Sequence, residues 1–157
     1  MGSHTFTLSL SHPNETGHRA AQLAAHLTDG DTVLLAGEVG AGKTHFARAL
    51  IKSLLDTPED VPSPTFTLVQ TYETAKGTIW HSDLYRITST SEIEELGLSE
   101  AFEGAICLIE WPDRLADLTP SNALLLTLAQ STEENARRMI ATWDAPKWSD
   151  KLAPWQT

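Results

Sequence analysis

Short apolar stretches divide the first part of the chain into predicted strands and helices. The segment HTFTLSL alternates apolar and polar side chains, which is typical of a strand with one buried face. Residues 17–27 predict a helix that ends at Asp29 and Gly30, and DTVLLAG after it is a continuous apolar run of the kind found in buried parallel strands. A second helix is predicted from apolar residues at helical spacing, namely Phe46, Leu50, Ile51 and Leu54.

The rest of the chain predicts more strands than helices. TFTLVQTYE (65–73) and GTIWHSD (77–83) are rich in β-branched and aromatic residues and predict a hairpin with its turn at 75–77, after a proline-rich loop. Residues 91–98 predict a short helix with Ser91 at its N-cap, and AICLIEW predicts a buried strand. NALLLTLAQ and RRMIATWDA predict a final antiparallel pair, and the last dozen residues show no clear periodicity. This order predicts an α/β fold with a mixed, mainly parallel central sheet flanked by helices.

Length, composition and charge argue against a membrane protein, a secreted protein and a protein that binds nucleic acid with its general surface. A length of 157 residues suits one domain spanning 1–157, and no apolar stretch approaches the roughly 18 residues of a membrane helix. The N-terminus does not resemble a secretory signal, and the one cysteine, Cys107, lies in an apolar run, so we expect a buried thiol in a cytoplasmic protein. The formal net charge of −10 disfavours direct binding of nucleic acid by the general surface, and the six histidines lack the paired spacing typical of zinc sites.

The segment GEVGAGKTH, residues 37–45, carries the clearest chemical signal. It contains the pattern G-x-x-x-x-G-K-[ST] between a predicted strand and a predicted helix. Glycines let backbone N–H groups turn inward around phosphate oxygens, and the following helix N-terminus favours negative charge. Lys43 can reach the β and γ phosphates, and the Thr44 hydroxyl can ligate Mg²⁺. The segment therefore predicts a P-loop that binds a nucleoside triphosphate.

Two carboxylates are candidates for the metal ion and the water that such a site needs. Asp83 closes the strand TIWHSD, and Glu110 closes the apolar strand AICLIE. Either can bind Mg²⁺ directly or through water. Two structural alternatives remain open: Glu110 can cap a helix that begins near Pro112, and Asp83 can form a salt bridge with Arg86.

Five segments together resemble the bacterial TsaE family, formerly YjeE: GEVGAGKT, SPTFTLVQTY, HSDLYR, EIEELG and ICLIEWPDR. They occur in the family's order, and the resemblance covers residues 16–115. The resemblance implies an Mg²⁺-dependent ATPase that acts with TsaD and TsaB in making threonylcarbamoyladenosine at position 37 of tRNAs that read codons starting with A. It implies that ATP hydrolysis supports repeated turnover of the complex. The acidic balance of the chain favours contact with tRNA through the partners, and we expect the chain alone to be a monomer.

The resemblance also assigns roles to individual residues. Lys43, Asp83 and Glu110 are the implied catalytic residues. Thr44 and Glu110 would ligate Mg²⁺, with Asp83 placing the metal or the attacking water. The phosphate cradle would consist of consecutive residues, namely Gly37, Glu38, Val39, Gly40, Ala41, Gly42, Lys43, Thr44 and His45.

Other implied nucleotide contacts lie outside the P-loop. Ser63 and Thr65 match a loop that resembles a GTPase switch region, where a hydroxyl senses the γ phosphate. Trp111 would flank the nucleotide or else fill the core. Thr16 would lie near the adenine, or else act as a helix N-cap.

The sequence departs from the family pattern at two places. His45 stands where the family commonly has a second threonine, so only its backbone N–H can copy the phosphate contact. The family carries an arginine near the nucleotide on the last hairpin. Here Arg137 is our candidate, although its neighbour Arg138 fits the pattern equally well.

Two other functions remain as alternatives. A small-molecule kinase of the P-loop class would transfer the γ phosphoryl group to an acceptor, but Arg86 and Arg114 are far apart in the sequence and no arginine-rich lid is evident. A nucleotide-gated binding module would use hydrolysis only to time its release from a partner. No arginine finger is evident either, which predicts slow hydrolysis by the chain alone and faster hydrolysis with its partners.

Overall fold

The computed structural model describes residues 3–38, 40–57, 59–64, 67–133 and 136–156. Within these residues one seven-stranded sheet has the order β1-β7-β6-β2-β5-β4-β3. Its strands are β1 His4–Leu10, β2 Thr32–Gly37, β3 Val69–Thr74, β4 Gly77–Asp83, β5 Ile106–Glu110, β6 Leu124–Gln130 and β7 Arg137–Trp143. The four central strands β6, β2, β5 and β4 pair in parallel, and the pairs toward both edges are antiparallel. The predicted α/β fold with a mixed sheet is confirmed.

Five helices and two 3₁₀ segments surround the described part of the sheet. They are α1 Pro13–Ala24, α2 Lys43–Leu54, α3 Thr90–Glu95, α4 Leu98–Gly104 and α5 Lys147–Lys151, with 3₁₀ segments at Pro112–Leu118 and Ala153–Gln156. In the described part of the chain no helix combines the length and the apolar character that crossing a membrane requires.

Alternate residues of the central strands supply two cores. In β2, Val33 and Leu35 pack in the core that contains α1 and α2, whereas Leu34 packs in the core that contains α3 and α4. Successive side chains of a strand point to opposite faces, so a continuous apolar run is what a sheet covered on both faces requires. Cys107 of β5 is fully buried in the second core, which confirms the prediction of a core thiol.

Several predicted boundaries were wrong. Helix α1 begins at Pro13, not at residue 17, with His12 as its N-cap, so Thr16 lies inside the helix and is not a cap. The predicted strand 65–73 begins only at Val69, because Leu68 has a φ of 69° and its N–H bonds to the Pro64 carbonyl in a turn. Thr65 and Phe66 lie outside the described residues.

The region after β4 contains the predicted short helix, α3, and also α4, which the sequence pattern did not predict; the helices of the C-terminal segment were not predicted either. Ser89, not Ser91, is the N-cap of α3, and Gly97 at a φ of 85° separates α3 from α4. The C-terminal segment forms α5 and a 3₁₀ segment, whose Trp148 and Trp155 are buried in the first core. The helices that were not predicted are too short to show a period of 3.6 residues in the sequence.

Asp31 holds the C-terminal segment against the start of β2. Its carboxylate, 1% exposed, accepts hydrogen bonds from Lys147 Nζ at 2.7 Å, from Lys151 Nζ and from the Thr28 N–H at 2.8 Å. Burial alone raises the pKa of Asp31, but these hydrogen bonds outweigh it and lower the pKa below its ordinary value. The segment is therefore fixed by a buried ion pair as well as by its two tryptophans.

Candidate active site

A cavity of about 540 Å³ opens where the parallel strands β2, β4 and β5 end. The strands end at Gly37, Asp83 and Glu110, and parallel strands bring their carboxyl ends to the same edge of the sheet. Asp83 and Glu110 are register partners across β4 and β5. The described residues that line the cavity are Gly40, Gly42, Lys43, Thr44, His45, Asp83, Tyr85, Glu110, Trp111 and Arg137.

The loop between β2 and α2 depends on glycine for its shape. Gly37, Gly40 and Gly42 all have positive φ, at 135°, 84° and 109°. At Gly37 a Cβ would lie only 2.3 Å from the carbonyl oxygen of Leu128 on the neighbouring strand, so no other residue fits there. Gly42 is the N-cap of the 12-residue helix α2, and the dipole of this helix favours an anion at the loop.

The side chain of Lys43 lies within this loop. Its Nζ donates hydrogen bonds to the carbonyl oxygens of Gly37 at 2.6 Å and Glu38 at 2.8 Å, and it lies 4.4 Å from the centre of the Trp111 ring. Burial lowers the pKa of Lys43, and the negative charges of Glu110 and Asp83 offset part of that effect. The ammonium group is thus held at the place where a P-loop receives phosphate oxygens.

Glu110, at the end of β5, is joined to the start of α2 through Thr44. Thr44 Oγ1 donates to Glu110 Oε1 at 2.7 Å, and His81 Nε2 lies 2.7 Å from the other carboxylate oxygen, Oε2. The N-cap of the 3₁₀ segment that follows is Trp111, so the capping role considered for Glu110 is wrong. Asp83 Oδ1 accepts a hydrogen bond from the Tyr85 N–H at 2.9 Å.

The donor set fits Mg²⁺ better than a transition metal. The described residues contain no cluster of three or more histidine, cysteine or acidic side chains that could hold a metal ion. Mg²⁺ does not need such a cluster, because it takes one or two carboxylates, a hydroxyl group and phosphate oxygens and keeps several waters. Thr44, Asp83 and Glu110 at one edge of the sheet match that requirement.

Aromatic and basic side chains complete the cavity. Trp111, with a φ of 59°, is half-buried, packs against Tyr85 with ring centres 4.9 Å apart, and also packs against the second core. Arg137 donates from Nη2 to the Gly40 carbonyl at 3.3 Å, whereas Arg138 is exposed and does not line the cavity. Of the two arginines, the structure brings Arg137 to the glycine-rich loop.

A profile of the family described as threonylcarbamoyl adenosine biosynthesis protein TsaE matches residues 10–140. The chain belongs to the TsaE family. Among proteins named tRNA threonylcarbamoyladenosine biosynthesis protein TsaE, that of Rickettsia conorii is 46% identical over an aligned length of 159 positions, and the alignment covers 92% of this chain and 91% of that protein. That of Bacillus subtilis is 35% identical over 123 residues, covering 78% and 76% of the two chains.

A solved structure shares the fold of this chain. The crystal structure of Bacillus subtilis YdiB superposes with a TM-score of 0.80 at 24% identity, over 99% of this chain and 97% of that one. The resemblance inferred from the five sequence segments is therefore confirmed for the family and for the fold.

The structure does not bring every residue implied by the TsaE resemblance to the cavity. Thr16 is buried in α1 and Ser63 is exposed, and neither is among the described residues that line the cavity. Val39 and Thr65 lie outside the described residues. His45 lines the cavity, and its Nε2 lies 3.1 Å from the Pro13 carbonyl oxygen, so its side chain joins α2 to the start of α1.

Sequence reasoning missed two residues of the site. His81 contacts Glu110, and Tyr85 lines the cavity beside Trp111. Both lie in HSDLYR, where His81 and Asp83 occupy alternate positions of one strand and therefore face the same side. That spacing was the available signal for His81.

A second cavity of about 510 Å³ adjoins the first and shares Tyr85 with it. Arg86 and Arg114 both line it, and Arg114 Nη2 donates to the Tyr85 carbonyl at 3.3 Å. The sequence suggested that these arginines lie apart, but the fold places both on one cavity that adjoins the first.

Proposed function

We propose that this protein is an Mg²⁺-dependent ATPase that acts in tRNA threonylcarbamoyladenosine biosynthesis. The main support is the 2.7 Å hydrogen bond from Thr44 Oγ1 to Glu110 Oε1, which joins the P-loop hydroxyl to a carboxylate at a strand end. P-loop NTPases hold Mg²⁺ with these two kinds of side chain. Membership of the TsaE family, and the names of its relatives, support the pathway.

Lys43, Asp83 and Glu110 have the main parts in the proposed hydrolysis. When bound, Mg²⁺ would neutralise charge on the phosphate oxygens. Lys43 would exchange its loop carbonyls for phosphate oxygens and stabilise the negative charge that develops in the transition state. Asp83 and Glu110 are neighbours across β4 and β5, so one can hold the metal while the other orients the attacking water.

We further propose that the chain acts with homologues of TsaD and TsaB and contacts tRNA through them. The net charge of −10 favours an indirect contact, because binding a phosphate backbone requires clustered lysine and arginine. We expect slow hydrolysis by the chain alone and faster hydrolysis in the complex.

Calorimetric titration with ATP, with and without Mg²⁺, tests the site. Thr44→Ala should weaken ATP binding in Mg²⁺ by about tenfold or more, equivalent to about 1.4 kcal/mol, and should change metal-free binding little. Thr71→Ala is the matched control, because Thr71 is exposed on the edge strand β3. If Thr44→Ala binds and hydrolyses ATP as the unchanged protein does, the assigned metal site is wrong. Modification of tRNA by TsaD and TsaB, measured with and without this chain, tests the pathway.

A small-molecule kinase is the second candidate. The cavity lined by Arg86 and Arg114 favours it, because kinases use arginines around the transferred phosphoryl group and that cavity adjoins the P-loop. Radiolabelled γ-phosphate distinguishes the two reactions: an ATPase releases inorganic phosphate, whereas a kinase places the label on an added acceptor. Release of phosphate alone across a panel of hydroxyl acceptors would exclude the kinase.

A further inference from the structure

His81, on the second strand from one edge of the sheet, contacts the carboxylate oxygen of Glu110 that does not contact Thr44. It is fully buried on β4, opposite Leu108 of β5, and its Nε2 is 2.7 Å from Glu110 Oε2. The other oxygen, Oε1, accepts from Thr44. The two oxygens of Glu110 thus have different partners, one inside the sheet and one on the P-loop.

The surroundings of the imidazole determine which ring nitrogen carries hydrogen. An ionised carboxylate only accepts hydrogen bonds, so Nε2 must be the donor to Glu110. Nδ1 is buried and has no hydrogen-bond partner among the described residues. An N–H at that atom would be an unpaired buried donor, which is rarer in proteins than an unpaired acceptor. The neutral ring with hydrogen on Nε2 satisfies both conditions.

We propose that His81 is a positioning residue for metal binding: its Nε2–H holds Glu110 Oε2 so that Oε1 faces Thr44 and the cation. This inference rests on the proposed Mg²⁺ site. A carboxylate with one oxygen held by a hydrogen bond loses little rotational freedom when its other oxygen binds a metal ion. Substituting the hydrogen-bond partner of a metal ligand commonly changes metal affinity by about 10- to 100-fold. His81 acts through Glu110 and does not itself contact the nucleotide.

Three substitutions separate the hydrogen bond from the space that the ring fills. In His81→Gln the amide nitrogen of the new side chain can reach close to the former position of Nε2, whereas the shorter side chain in His81→Asn cannot. His81→Leu fills the space without any donor. We expect His81→Asn and His81→Leu to weaken Mn²⁺ binding to the protein–ATP complex, measured by electron paramagnetic resonance, by about 10- to 100-fold, and His81→Gln to restore most of the affinity.

The affinity for ATP measured in EDTA shows whether the His81 substitutions affect only metal binding. It should stay within about twofold of the unchanged protein in all three variants, because the P-loop amides and Lys43 remain in place. Equal loss of metal-free and metal-dependent binding would indicate a general structural role and overturn the inference. Thermal unfolding shows whether each variant folds. If His81→Leu does not fold, the inference is tested by comparing His81→Gln with His81→Asn, which differ by one methylene.

Glu110→Gln distinguishes failure of this inference from failure of the proposed function. If Glu110→Gln keeps the unchanged protein's Mn²⁺ affinity, the metal site itself is wrong. If Glu110→Gln loses that affinity while all three His81 variants keep it, only the role of His81 is refuted.

Discussion

Replacing Gly37 with alanine should destabilise the protein more than the same replacement at Gly42. Both residues have positive φ, 135° and 109°, so each variant carries backbone strain of about 1–3 kcal/mol. At Gly37 the new Cβ would meet the Leu128 carbonyl oxygen at 2.3 Å, whereas at Gly42 no described atom lies within 4 Å of it. Gly42→Ala is therefore a control with similar strain and no collision.

The collision at Gly37 cannot be relieved by rotating a side chain. The oxygen belongs to the backbone of β6, which pairs with β2 at this position, so the two strands must separate. Overpacking of this kind costs about 1–3 kcal/mol beyond the strain. We therefore expect the free energy of unfolding to fall by about 2–6 kcal/mol in Gly37→Ala and by about 1–3 kcal/mol in Gly42→Ala.

Urea unfolding followed by tryptophan fluorescence measures both values, since the chain contains five tryptophans. If Gly37→Ala proves too unstable to titrate, its melting temperature by scanning calorimetry gives the same ranking. Equal stability of the two variants would refute the reasoning, because it would show that the contact with β6 is easily relieved.

Three further predictions follow from buried groups and from the cavity. Asp31→Asn should lower the free energy of unfolding by about 3 kcal/mol in urea titrations at pH 7, because two lysine ammonium groups lose their buried partner. Since the folded pKa of Asp31 is depressed, its contribution is complete above the ordinary value of 3.8 and is lost as pH falls below it, so the difference from the unchanged protein should shrink in acid. Arg137→Ala should weaken ATP binding by about tenfold in calorimetry, whereas Arg138→Ala, on an exposed position of the same strand, should leave it unchanged; equal effects would contradict the assignment. Burial raises the pKa of Cys107 to about 12, so the thiol should resist a disulfide reagent at pH 8 in the folded protein and react in 6 M guanidinium; rapid reaction of the folded protein would argue against its burial.

The central strands and the glycine-rich loop between β2 and α2 could be predicted because their signals are local. The apolar run of β2, the glycines of the loop and the Lys-Thr pair are adjacent in the sequence, and their spacing fixes their geometry. The fold class followed from the alternation of such segments. The strand beginning at Val69 was misplaced because a local β propensity does not reveal the turn formed by Leu68.

The features that could not be predicted depend on residues far apart in the chain. Helix α5 is held by Asp31, which lies 116 residues from Lys147. His81 meets Glu110 only because β4 and β5 pair in parallel, and the choice between Arg137 and Arg138 required the position of Gly40. Spacing within one segment places His81 on the same side of its strand as Asp83, but neither propensity nor spacing identifies a partner on another strand.

The attachment of Lys43 to its own loop has a thermodynamic consequence for any anion that enters. Two carbonyl oxygens already order this side chain as the protein folds. Immobilising a lysine side chain costs up to about 2 kcal/mol in rotamer entropy. In this protein that cost is already included in the free energy of folding. A triphosphate would therefore meet a cation that changes acceptors without first being immobilised, which leaves more of the contact energy available for affinity.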